Sequence, residues 1–407
     1  MEGKNKKYQI QFAVLWSGQA ASMLTSAVLQ MAIVWYLTEK TGSAAVLSLA
    51  TVMGFLPQAV LGIFIGALID RYDRKKVLIY SDLFIALMGL VLFVVGLFGE
   101  IPIWLIMVVL FVRSVGSAFY SPSLNAVMPL IVPKEQLTRF AGYAQSFRSV
   151  SMLLSPALAA VLFSWWDLNV IVLLDVAGAL LAVTAFRRVA IPKVSREQTQ
   201  AKPNLLLEVR QGLAALREQK GLVPLVVISA VYAALYSPIG TLFPHITMVY
   251  FGGTVAQSSA VEIVFACGML AGSLLLGRIG GRIDKMRAIS CSIALYGFSV
   301  LATGLLPPQG LRFFFVFAAL IGLANPFFNG VQVAVLQTKV KEEYLGRVLS
   351  LTSSAGMLAM PLGLSLSGLF TDKIGVNHWY AGTGAVILVL AVVSRCIPSM
   401  RHCCDEE

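Results

Sequence analysis

Apolar stretches long enough to cross a lipid bilayer recur along almost the whole chain, and no other feature constrains the fold as strongly. The hydrocarbon core of a membrane is about 30 Å thick and a helix rises about 1.5 Å per residue, so a run of about 20 apolar residues marks a span. By that rule spans fall near 12–37, 45–69, 77–98, 103–128, 138–163 and 167–188. A second set falls near 222–250, 257–281, 288–306, 311–337, 346–370 and 379–397. A mean hydropathy of +0.81 agrees with a membrane protein rather than a soluble one. The first run is too long and too polar for a cleavable signal, and no A-x-A-like site follows it, so it reads as a permanent span. The fold class expected is an all-α membrane protein with 12 transmembrane helices.

The formal charge of +11 raises the question of nucleic acid, which needs a basic face on a folded soluble domain. Here the basic residues lie in short loops instead. With both termini inside, 26 of the 31 Lys and Arg residues fall on the cytoplasmic side, and only Lys40, Arg312 and Lys373 fall outside. That asymmetry fixes the orientation by the positive-inside bias. It makes the lipid bilayer, and no nucleic acid, the expected partner. Cys267, Cys291, Cys396, Cys403 and Cys404 show no zinc-ligand spacing, so they read as unpaired thiols with no structural metal and no cofactor.

The two sets of spans resemble each other. Asp70-Arg71 corresponds to Asp284-Lys285, and Pro122-x-x-Asn125 to Pro326-x-x-Asn329. KEQLTR at 134–139 matches KEEYLGR at 341–347, and SMLLSP at 151–156 matches GMLAMP at 356–361. A common order and a near-constant offset predict duplicated six-helix bundles, related as parallel repeats. The expected domains are 1–188, a cytoplasmic linker at 189–221, and 222–407 with a short cytoplasmic tail.

Within this frame GALIDRYDRKK, residues 66–76, is similar to the loop 2–3 signature of the major facilitator superfamily, G-x-x-x-D-R-x-x-R-[KR]. Segments 16–44, 268–281, 344–348 and 372–379 resemble the macrolide-efflux (Mef-type) branch of its drug/proton antiporters. The resemblance implies a monomeric, proton-driven exporter of macrolide antibiotics in a bacterial cytoplasmic membrane. The chain departs from the family at two places. Span 4 carries Arg113-Ser-Val-Gly116 rather than R-x-x-x-G, and span 5 carries Ser155-Pro156-Ala-Leu-Ala159-Ala160 rather than Gly-Pro-x-x-Gly-Gly.

Three groups of candidate residues follow. For gating, Gly62 and Gly66 permit close helix approach. Asp70, with Arg71 and Arg74, sits where it can cap a partner helix and form a latch between the bundles. Asp82, Asp284, Lys285 and Arg347 extend that network or echo it in the second half. The alternatives for the loop are static topology and phosphate binding. For proton coupling, Arg113, Asp175, Glu262 and His245 are the ionisable groups placed within spans, where a charge costs at least about 2.5–3.5 kcal/mol and asks for a reason. The bland readings are a backbone hydrogen-bonding post for Arg113, a packing group for Asp175, an interfacial position for Glu262 and a spacer for His245.

For a substrate cavity, Gln19, Ser22, Ser26 and Gln30 form a polar stripe on span 1. Asn325, Asn329 and Gln332 form another on span 10, and Tyr232, Tyr236 and Phe243 form an aromatic face on span 7. Tyr120 and Asn125 belong to span 4. The family resemblance implies that spans 1, 4, 7 and 10 line the central pathway. Each stripe reads equally as interhelical glue. Taken together they suit a bulky amphiphilic drug with a basic amine. The rival cargo is another amphiphile such as a dye, lipid or siderophore. No H-E-x-x-H, G-x-S-x-G or P-loop motif is present, so an enzyme is not expected. The two-bundle repeat argues against a channel.

Overall fold

The computed structural model describes the backbone of residues 2–69, 73–132, 137–189, 205–218, 221–279 and 283–398. Side chains are described for these except 2–10, 62–64, 66–69, 121, 125–126, 128–129, 137–146, 148–149, 152, 205–209, 211–212, 342–343 and 346. Every regular element among them is helical. In chain order these are α1 (Glu2–Thr41), α2 (Ala44–Ile69), α3 (Arg74–Leu97), α4 (Ile103–Ile131), α5 (Leu137–Trp165), α6 (Leu168–Arg188) and α7 (Leu205–Glu218). They continue as α8 (Leu222–Thr241), α9 (Phe243–His245), α10 (Val255–Ile279), α11 (Lys285–Leu305), α12 (Leu311–Lys339), α13 (Glu342–Ile374) and α14 (Val376–Cys396). Eleven helices among the described residues are long and apolar enough to cross a bilayer, and α5 adds the shorter apolar stretch Leu153–Trp165. Helices satisfy their own backbone groups, which is why hydrocarbon tolerates them. Pro57, Pro156, Pro238, Pro326 and Pro361 all sit inside helices.

Two expectations change. The span expected at 222–250 is not one helix: α8 ends at Thr241, and a short turn and a π-helical turn, Ile246–Tyr250, follow. Pro244 has no N–H to continue the helical ladder, so the break falls there. The stretch expected to be a linker contains the amphipathic α7, whose Ala215 and Leu216 are buried and which packs against α13.

The chain forms two compact units. One holds Met1–Lys40 and Ala50–Lys202, the other Thr41–Leu49 and Pro203–Glu407. In the first, α3 packs against α4 and α6. In the second, α11 packs against α12 and α14, and α10 lies along α12. The second core is built on Tyr296, Tyr380, Phe243 and Phe314, all essentially inaccessible. Along α10 and α12 the backbones nearly touch. A Cβ on Gly268 would meet the Ala319 carbonyl, and one on Gly272 the Leu323 carbonyl, so only glycine fits at either. The first turn of α2 also belongs to the second unit. There Asp372 of α13 accepts hydrogen bonds from Ala44 N (2.7 Å), Ala45 N (3.2 Å) and Ser43 Oγ (2.5 Å), which satisfies orphan donors of a helix N-terminus.

The repeat is visible in local chemistry. Asp73 caps α3 by accepting from Lys75 N and Lys76 N, and Asp284 caps α11 by accepting from Met286 N and Arg287 N. Asp284 is thus the counterpart of Asp73, not of Asp70 as the sequence offset suggests. An N-cap carboxylate has one fixed position relative to its helix start, and that position sets the register.

Candidate functional site

The first unit encloses a charge cluster at the packing of α3, α4 and α6. Arg113 of α4 donates to Asp175 Oδ2 of α6 at 2.7 Å, and Ser26 Oγ of α1 donates to Asp175 Oδ1 at 2.6 Å. Asp175 is 1% exposed and the Arg113 side chain 13%. Arg113 also reaches toward the Ile85 carbonyl of α3 at 3.4 Å. Such a pair is held because each charge satisfies the other where burial takes both largely out of solvent. Asp82 of α3 is buried within electrostatic reach of Asp175. Above it Gly89 lets α3 approach α6, since a Cβ there would press on Val176.

The remaining polar groups of α1 divide by role. Gln19 is buried and accepts a hydrogen bond from Tyr120 of α4, and Tyr120 stacks edge-on against Phe186. Ser22 is buried and Gln30 exposed, so the stripe read from 3-4-4 spacing does not face one environment. The loop residues Asp70 and Arg71 lie outside the described residues, the Asn125 side chain does too, and of Gly66 only the backbone is described. Lys75, the last position of the loop signature, donates from Nζ to the Val189 carbonyl (2.7 Å) and the Arg187 carbonyl (3.2 Å) at the end of α6. A cation there complements the unpaired carbonyls of the last turn. Arg74 is the first residue of α3.

The second unit holds a cavity of about 290 Å³. Tyr232, Tyr236, Asn325, Asn329 and Gln332 line it together with Phe328 and Met360. Asn329 Nδ2 donates to Asn325 Oδ1 at 2.8 Å, and Tyr236 is hydrogen-bonded to the Asn325 side chain. Tyr232 stacks on Tyr236 and lies 4.3 Å, centroid to centroid, from Phe328. Its hydroxyl is buried without a hydrogen-bond partner among the described residues. Apolar walls with a few convergent amides and phenols are what an amphiphile needs. Phe243 does not line this cavity; it packs edge-on against Phe265 and Phe314 in the core. The helix break after Thr241 turns it away from the face of Tyr232 and Tyr236.

The other candidates are scattered. Glu262 is half-buried on α10, within electrostatic reach of Tyr236 and Tyr380. His245 is buried on α9 with Nδ1 unpartnered among the described residues, within reach of Asp372. Asp284 forms an exposed ion pair with Arg287 at 3.0 Å, Lys285 lies 3.5 Å from Thr338 Oγ1, and Arg347 stacks over Tyr344. Sequence reading missed Asp372 and the dual role of Lys75. The Asp at the end of span 11 was visible as a helix-end acid, but its partner lies more than 300 residues away.

Apolar spans in duplicated sets, a buried ion pair and an amide-lined cavity define a class: a multi-pass α-helical membrane transporter. Residues 15–250 and 225–401 match the Major Facilitator Superfamily, and the chain belongs to that family. It is 50% identical over 398 residues to macrolide efflux protein A of Streptococcus pyogenes, covering 98% of each chain. It is 23% identical over 382 residues to the multidrug efflux pump Tap of Mycobacterium tuberculosis, covering 90% of this chain and 88% of that one. Among solved structures, the nucleoside transporter NupG superposes with a TM-score of 0.74 at 14% identity, covering 96% of this chain and all of NupG. That last likeness speaks to fold alone.

Proposed function

We propose that this chain exports macrolide antibiotics from the bacterial cytoplasm in exchange for protons, by alternating access. One observation carries the cargo: half the residues match macrolide efflux protein A across nearly the full length of both chains. The cavity of the second unit supports it, because Tyr232, Tyr236 and Phe328 offer aromatic walls and Asn325, Asn329 and Gln332 offer orienting amides. A bulky apolar ring with a basic amine meets both needs.

The proton step is supported by the buried cluster of the first unit, where ionisable groups sit despite their cost in a membrane. The protein works as a monomer in the cytoplasmic membrane with both termini inside, as the Lys and Arg distribution favours. It moves its substrate unchanged rather than acting as an enzyme, and it needs neither cofactor nor nucleic acid.

The test is erythromycin accumulation in cells with and without the chain, with the proton gradient collapsed in a parallel sample. Expression should lower accumulation, and collapse should restore it. Accumulation unchanged by expression removes the macrolide assignment and leaves another amphiphile as cargo. Export that survives collapse removes the antiport mechanism.

A further inference from the structure

Among the described residues the cluster around Arg113 contains two carboxylates and one guanidinium, and one of the carboxylates is paired with it. Asp175 uses both oxygens, one on Arg113 and one on the Ser26 hydroxyl. Asp82 is 4% exposed, and its Oδ2 has no hydrogen-bond partner among the described residues. A buried ionised oxygen with no donor carries the full desolvation penalty. One proton would remove the ionic part of that penalty and bring the described cluster to neutrality.

Among the described side chains, the other cations of the surrounding elements lie at helix ends. α4 carries Arg113 as its one charged residue, and α2 carries none. α6 contributes Asp175, with Arg187 and Arg188 in its last turn. α3 contributes Arg74, Lys75 and Lys76 in its first turn, and the Lys75 amine is held by carbonyls at the end of α6. α1 is uncharged between Gln11 and Thr38. α5, which packs on α6, carries Arg139 and Arg148, whose side chains lie outside those described.

We propose that Asp82 is the group that binds and releases the transported proton, while Asp175 remains the fixed anion that holds Arg113 in place. This rests on the antiport reading above. A proton on Asp82 Oδ2 leaves the ion pair intact and turns that oxygen into a donor. A proton on Asp175 would instead break a buried pair and strand the guanidinium, which is the costlier event. Loss of the proton from Asp82 restores a net negative cluster, so the α3, α4 and α6 packing has two electrostatic states that differ by one proton.

The experiment uses the full chain in proteoliposomes with labelled erythromycin, measured as uptake driven by an imposed pH gradient and as exchange at zero gradient. Asp82→Asn is expected to lose the first and keep the second, with Asp82→Glu restoring gradient-driven uptake. Gradient-driven uptake retained by Asp82→Asn overturns the proposal while leaving antiport standing. Gradient-independent uptake by the unmodified chain overturns both. A readout that does not need the Asn variant to fold is the infrared band of protonated carboxyl groups as pH is varied. That band should shift in Asp82→Glu and stay in place in Asp175→Glu, and the reverse pattern refutes the assignment.

Discussion

Replacing Arg113 by methionine removes the guanidinium that pairs with Asp175 and leaves a carboxylate that is 1% exposed with only the Ser26 hydroxyl to satisfy it. Removing one partner of a buried ion pair costs about 3–5 kcal/mol, because the survivor stays charged and desolvated. For a unit of this size, each kcal/mol lowers the melting temperature by about 2–4 °C, so the loss should be on the order of 10 °C. The double variant Arg113→Met with Asp175→Leu removes both charges together. Replacing a whole pair with apolar residues is often neutral or stabilising, so it should recover most of that loss. Thermal unfolding of detergent-purified protein, followed by size-exclusion chromatography after heating, reads both numbers. Gradient-driven export should be lost in both variants, which separates the stability of the cluster from its use. If Arg113→Met unfolds at the temperature of the double variant, the ion pair does not hold the helices and the reasoning about Asp175 is wrong.

Further expectations concern the packing, the caps and the cavity. Gly272→Val should destabilise the second unit by about 1–3 kcal/mol, since the new side chain meets the Leu323 carbonyl; an unchanged melting temperature would mean that α10 and α12 are not so close. Asp73→Ala and Asp284→Ala should each cost about 1 kcal/mol by uncapping equivalent helices, measurable as matched shifts in unfolding. Tyr232→Phe removes a buried hydroxyl that has no partner, so stability should be kept or slightly raised. If that hydroxyl contacts the drug, the same variant should weaken erythromycin binding in an equilibrium assay.

How much of this was readable beforehand varies by residue. The spans followed from hydropathy because the bilayer imposes a length and a polarity on any helix that crosses it. Arg113 and Asp175 stood out because charges are rare in such stretches. Their pairing did not, since the two are 62 positions apart and meet only through the rotation of α4 and α6. Asp82 read as an extension of the gating network, being close to the charged loop in sequence. Helix periodicity instead turns it inward, to the face of α3 that packs on α4 and α6. Ser26 looked like a member of a ligand stripe, and it donates to Asp175. Phe243 looked aligned with Tyr232 and Tyr236 only while the helix was taken as continuous through Pro244.

The chain's composition therefore determined what it is made of: apolar helices that recur along its length, and a repeat that halves the problem. These are one-dimensional properties, fixed by what lipid accepts. Tertiary packing decided which of the intramembrane charges are partners and which are not. Asp175 is satisfied and Asp82 is left with an oxygen short of a donor, although both are single aspartates in apolar runs. The physical reason is that a hydrogen bond depends on helix rotation and depth to within an ångström, and sequence spacing does not carry that information across separate helices.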